Sequence, residues 1–247
     1  MKRYLILSTL DVSRMPNNRD HHLLQHIAPR FDETYVVFRK RCDKQGKLQF
    51  LRDAFVPRAR VARRGGVSYV EVNPLLNHAQ GLAMDVAGTY DVREHERGRF
   101  NLRQAAYRLL TSLGIFKDLS SIFFLFWFAW RKAPGKFDVC TALGPWAGAS
   151  AFLLKKLGKV RVTVFEDRDY EPGFLSTPLR RRMAVAIEVA ALKAADLRVS
   201  VGGRLARLRQ SQTGMPVATV HNGVAVDNFQ APLRDLSQPI LVYTGAV

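Results

Sequence analysis

The sequence is poor in cysteine: Cys42 and Cys140 are the only two in 247 residues, and they lie far apart. That excludes a disulfide scaffold and a Cys/His metal centre, and it points to a reducing, cytoplasmic setting. Long apolar runs are missing too. None approaches the roughly 20 residues that a spanning helix needs. The start, Met1-Lys2-Arg3 and then Tyr4-Leu5-Ile6-Leu7, is too short for a leader peptide, and Asp11 and Arg14 follow at once; it reads as a first strand. There is no Gly-x-Gly-x-x-Gly fingerprint, no Walker loop and no Gly-x-Ser-x-Gly, so dinucleotide binding, P-loop chemistry and an elbow serine nucleophile have no support. No metal is expected. Acids are scarce as well: 21 Asp+Glu stand against 38 Lys+Arg, a net charge of +17. Such a balance suits an anionic partner or serves solubility. No nucleic-acid motif accompanies it, and no nucleic-acid partner is expected.

What is present is an alternation of strand and helix patterns. Residues 4–8, 35–38 and 67–72 read as strands, and 19–29 as a helix with Asn18 at its N-cap and Leu23, Leu24 and Ile27 inward. The segment between 40 and 66 reads as a loop or hairpin bearing a dense basic surface. Two helices are expected at 101–113 and 119–132. From residue 137 the order is regular: strand 137–141, helix 144–158, strand 160–165, helix 177–195, strand 197–201, helix 203–212 and strand 217–220. This order predicts an α/β fold, a doubly wound, Rossmann-like parallel sheet. Ligands bind at the carboxyl edge of such sheets.

The chemistry-bearing residues fall at that edge. Glu166, Asp167, Asp169 and Glu171 come straight off a strand within six positions. A carboxylate within hydrogen-bond reach of an acceptor hydroxyl is a suitable general base; Asp169 or Asp167 is the expected one. The structural alternative is an acidic turn that offsets the positive end of the following helix. Gly202-Gly203 opens a helix after a strand, where backbone N–H groups can receive a phosphate.

The stretch Val217-Ala218-Thr219-Val220-His221-Asn222-Gly223-Val224-Ala225-Val226-Asp227-Asn228-Phe229, with Pro232 and then Ile240-Leu241-Val242-Tyr243-Thr244-Gly245, resembles the domain junction of two-domain GT-B-fold glycosyltransferases that build polysaccharides and glycolipids. Asn222, Gly223, Val224, Asp227, Phe229, Pro232 and Gly245 match; Ala225 stands where that family often has Asp. Phe165, Glu166 and Asp169 loosely resemble the family's Tyr-Asp-x-x-Asp element. The resemblance implies an acceptor-binding domain over residues 1–230. Residues 231–247 would begin a donor-binding domain. The implied activity is transfer of a sugar from a nucleotide-sugar co-substrate to a lipid-linked or saccharide acceptor. On that reading Asp169 and Asp167 are catalytic. Arg14, Asn18, His21, Glu166 and Arg168 hold the acceptor, and Gly202, Gly203, His221, Asn222 and Gly223 face the donor. The family's donor-gripping residues belong to the other half, so this chain alone is expected to be inactive.

One stretch stands apart. Residues 122–130 are nine consecutive apolar positions, Ile-Phe-Phe-Leu-Phe-Trp-Phe-Ala-Trp, followed by Arg131, Lys132 and Lys136. A buried helix is one reading. A peripheral contact with an anionic membrane surface, on the inner face of the plasma membrane, is the other. That contact also underlies the alternative of a non-catalytic, basic membrane-docking module.

Overall fold

The structure is a computed structural model and describes residues 1–10, 24–40, 55–77, 102–175 and 177–221. Its centre is β1 (Arg3–Ser8). Tyr4, Leu5, Ile6 and Leu7 are all at most 3% exposed, as a run of apolar residues must be when both faces of its sheet are covered. On one side β1 pairs in parallel with β2 (Glu33–Arg39), which pairs in parallel with β4 (Val67–Asn73). On the other side follow β5 (Phe137–Leu143), β6 (Val160–Asp167), β7 (Leu197–Ser200) and β8 (Ala218–Thr219), all parallel. The strand order therefore reverses between β1 and β5. This is the switch point of a doubly wound sheet, and the expected fold class holds.

The basic segment before β4 is a hairpin strand, β3 (Arg58–Arg64), and it is the antiparallel edge of the sheet. Gly65 and Gly66 make its turn, both with positive φ, a conformation that side chains resist. Arg58, Arg60, Arg63 and Arg64 are exposed along this edge, where charge discourages pairing with another chain.

Side chains of parallel partners share a face. Leu7, Ala142 and Phe165 are in register on one face, and Ser8, Leu143, Glu166 and Val199 on the other. The first face carries α1 (Leu102–Lys132), α2 (Gly144–Lys156) and α3 (Pro178–Ala194). Leu125 and Ala129 of α1 and Ala147, Ala151 and Leu154 of α2 meet Leu5, Leu7 and Val37 there. On the second face Leu24 packs with Tyr4, Ile6, Val36 and Phe38, with Ile27 beside them. Residues 24–27 are helical and run into a 3₁₀ turn at Ala28–Arg30; the rest of the helix expected at 19–29 lies outside the described residues. The last helix is α4 (Gly203–Thr213).

One expectation is corrected. The helices expected at 101–113 and 119–132 are a single 31-residue helix, α1. Gly114 does not interrupt it. Its missing Cβ makes room for Arg180 of α3, whose Nη1 would lie 2.9 Å from such an atom. Packing against a neighbour thus outweighs glycine's low helix propensity, which is worth only about 1 kcal/mol. Residues 222–247, which hold most of the junction motif and the second-domain strand, lie outside the described residues.

Candidate functional site

At the switch point β5 passes into α2 with no intervening loop. Leu143 ends the strand and Gly144 begins the helix, with φ of 80°. The N-terminus of α2 therefore opens at the carboxyl edge of the sheet. Glu171 stands over it. Its Oε1 accepts a 2.7 Å hydrogen bond from Trp146 Nε1, and its Oε2 is 3.0 Å from where a Gly144 Cβ would be. A carboxylate is favoured beside the positive end of a helix. Burial nevertheless pushes the Glu171 carboxyl up, and the Trp146 bond and the charge of Arg39 at the end of β2 only partly oppose this.

The four acids after β6 do not act as one group. Strand alternation sends Glu166 and Asp167 to opposite faces. Glu166 accepts a 3.2 Å bond from Arg168 Nε. Asp167 is 1% exposed, and Arg209 of α4 grips both of its oxygens, Nε at 2.6 Å and Nη2 at 3.3 Å. Arg209 Nη2 also lies 2.6 Å from Glu188 of α3, and Arg209 and Glu188 are both fully buried. Two carboxylates thus share one guanidinium away from water. Burial pushes both carboxyls up, Glu188 to about 8; Arg209 opposes this in both, while the charge of Asp169 reinforces it at Asp167 and that of Asp167 reinforces it at Glu188. Burial thus favours protonation of both acids, and Arg209 opposes it.

Asp167 therefore does not present its carboxylate to an acceptor, whereas Asp169, beyond the end of the strand, is exposed. Tyr170 follows it, its ring 5.3 Å from the Arg209 guanidinium. A second buried ionic cluster lies nearby: Asp118 of α1 accepts a 2.7 Å bond from Arg180 Nε of α3 and lies 3.7 Å from Lys117 Nζ.

Gly202 and Gly203 sit between β7 and α4. Gly202 is extended, an added Cβ there would meet nothing, and one at Gly203 would meet only Arg207 at 3.5 Å. Among the described residues no side chain caps the first turn of α4. His221 lies exposed just past β8 at the same edge. Glu166, Arg168, Asp169, Gly202, Gly203 and His221 thus share the carboxyl edge of β6, β7 and β8. Arg14, Asn18, His21, Asn222 and Gly223 lie outside the described residues. Among the described residues no group of three or more His, Cys, Asp or Glu is placed to hold a metal ion.

Arg209, Glu188 and the Asp118–Arg180 pair were missed by sequence reasoning. The signal was there: Glu188 falls on the buried stripe Ala184, Ala191 and Leu192 of α3, and Arg209 stands three residues after the buried Ala206 of α4. A charge on an apolar helix face needs a partner from another element.

No protein-family model matches the chain, and no curated protein matches it in sequence. Solved structures do. A UDP-forming α,α-trehalose-phosphate synthase from Burkholderia vietnamiensis is 12% identical, with a TM-score of 0.46 over 87% of this chain and 43% of that one. Another from Burkholderia xenovorans is 14% identical, with a TM-score of 0.48 over 92% and 50%. An E. coli trehalose-6-phosphate structure bound with UDP-2-fluoro glucose is 12% identical, with a TM-score of 0.47 over 86% and 42%. The likeness is one of general layout, and the chain spans half or less of the length of these neighbours.

Proposed function

We propose that this chain is the acceptor-side half of a GT-B glycosyltransferase that moves a sugar from a nucleotide-sugar donor to a lipid-linked or saccharide acceptor. The observation that supports it is the gathering of an exposed carboxylate, an arginine and a helix N-terminus at the carboxyl edge of a doubly wound sheet. The junction motif after β8 supports it independently. In the proposed step Asp169 takes the proton of the acceptor hydroxyl. The acceptor oxygen bonds to the anomeric carbon, and the nucleoside diphosphate leaves with the electron pair of the bond it breaks. Arg168 holds an acceptor hydroxyl, and Glu166, 4% exposed and bonded to Arg168, acts on the acceptor through it. The first turn of α4, opened by Gly202 and Gly203, receives phosphate from the donor side. Asp167 acts through Arg209 as a positioning residue. Asn222, Gly223 and His221 belong to the link toward a donor-binding domain that begins at about residue 231.

Two measurements test this reading. The 247-residue chain is expected to release no nucleoside diphosphate from a panel of nucleotide sugars; steady release overturns the half-enzyme assignment. It is also expected to bind saccharide or lipid-linked saccharide acceptors, read as a shift in thermal midpoint that Arg168→Ala abolishes. A shift unchanged in that variant, or none with any acceptor, overturns the assignment of the edge.

A further inference from the structure

From residue 114 onward helix α1 buries one side and exposes the other. Leu125 and Ala129 are sealed in the core. On the opposite side Phe116, Leu119, Phe123, Trp127 and Trp130 are 61%, 43%, 52%, 40% and 38% exposed. They follow one another at steps of three or four residues, so they form a single stripe along the helix. At 1.5 Å per residue it is roughly 20 Å long. Phe123 and Trp127 stack on each other, with ring centroids 6.2 Å apart. An apolar row of this kind on a folded surface marks a contact with something else.

The charges around the stripe identify the occupant. Between residues 114 and 136 the only acid is Asp118, and it is 1% exposed and paired with Arg180. The exposed ionic groups on the C-terminal flank, Arg131, Lys132 and Lys136, are all basic. The Arg131 guanidinium lies 5.5 Å from the centroid of the Trp127 ring. Tryptophan and phenylalanine beside arginine and lysine suit the boundary between lipid tails and head groups, where rings sit among the upper acyl chains and cations meet phosphates. Among the described residues no helix is long and apolar enough to cross a membrane.

We propose that the exposed face of α1 docks this chain on an anionic phospholipid bilayer, with the aromatic stripe in the interface and its basic flank on the lipid phosphates. This goes beyond glycosyl transfer and does not depend on it.

The test uses the full chain and two kinds of vesicle, phosphatidylcholine mixed with phosphatidylglycerol and phosphatidylcholine alone. The chain is expected to sediment with the mixed vesicles, to bind the neutral ones at least about tenfold more weakly, and to be released from the mixed ones by salt. Acyl-chain-brominated lipid is expected to quench its tryptophan fluorescence. The quenched rings are Trp127 and Trp130, because Trp146 is 1% exposed. The double variant Phe123→Ser, Trp127→Ser is expected to bind mixed vesicles at least about tenfold more weakly. Its thermal midpoint should be unchanged, because both side chains already face solvent. The proposal is overturned by equal binding of variant and wild type, by equal binding to both kinds of vesicle, or by unquenched fluorescence. It is also overturned if light scattering finds a dimer that the double variant converts to monomer, since a second copy then covers the stripe. A control keeps charge and aromatics apart. If Arg58→Ala with Arg60→Ala on the β3 edge abolishes binding while the aromatic variant does not, the edge is the docking surface and α1 is not.

Discussion

Two buried ionic clusters share helix α3 and differ in the make-up of their described pairs. Near its start, one carboxylate, Asp118, meets two cations, Arg180 at 2.7 Å and Lys117 at 3.7 Å. Further along, two carboxylates, Asp167 and Glu188, meet one cation, Arg209. A guanidinium keeps its charge wherever it is put. A carboxylic acid can take a proton instead. The cluster of two acids can therefore adjust by titration, whereas in the other cluster the charge of Lys117 also favours the ionised form of the Glu171 carboxyl. The Asp167–Glu188–Arg209 cluster makes stability depend on pH; the Asp118–Arg180 cluster ties α1 to α3.

The largest effect expected from breaking this contrast follows Arg209→Met. Two buried carboxylates lose their only described cation, and removing one partner of such a set costs about 3–5 kcal/mol. Urea denaturation at neutral pH measures it. A cost near zero would mean that water reaches Asp167 and Glu188. Asp118→Asn comes next, at about 3 kcal/mol, because Arg180 and Lys117 keep their charge with a weaker acceptor between them.

The smallest and most informative change is Glu188→Gln. Burial holds the folded carboxyl at about 8, against an ordinary value of 4.5. The folded chain therefore binds a proton that the unfolded chain has already released between those two pH values. Wild-type stability from this group is full below pH 4.5 and is lost as pH rises toward 8. The glutamine variant has no proton to lose. Its stability relative to wild type should improve over that window by up to a few kcal/mol. Thermal melts at pH 5 and pH 8 check it, and a difference independent of pH would show that Glu188 is ionised throughout.

Much of the fold was legible because it is written in local periodicity. The strands and helices between residues 137 and 220 match their expected ranges within about two residues, since strand runs such as Val160–Asp167 and helix faces such as Ala184–Ala191 need only neighbours in sequence to be recognised. The basic β3 hairpin was half legible: the segment reads as a loop or hairpin, but with only Ala and Val between its arginines the strand itself does not stand out. The continuity of α1 through Gly114 was not legible, because the compensating contact comes from Arg180, 66 positions away. At the site, the acidic stretch after β6 was legible as a group, but the division of labour within it was not. Glu166 and Asp167 look equivalent in sequence. The pleat turns one toward Arg168 and the other toward Arg209.

The sequence by itself determined the alternating α/β order, the excess of positive charge, and the arrival of acids and glycines at the ends of strands, since each depends on residue type and short spacing. Tertiary structure alone decided which acid is sealed in an ion network and which stands in solvent, and which side of the aromatic helix is left bare. Both outcomes depend on charges and surfaces supplied by elements distant in the chain, and burial changes what a carboxylate or a tryptophan does far more than its neighbours in sequence do.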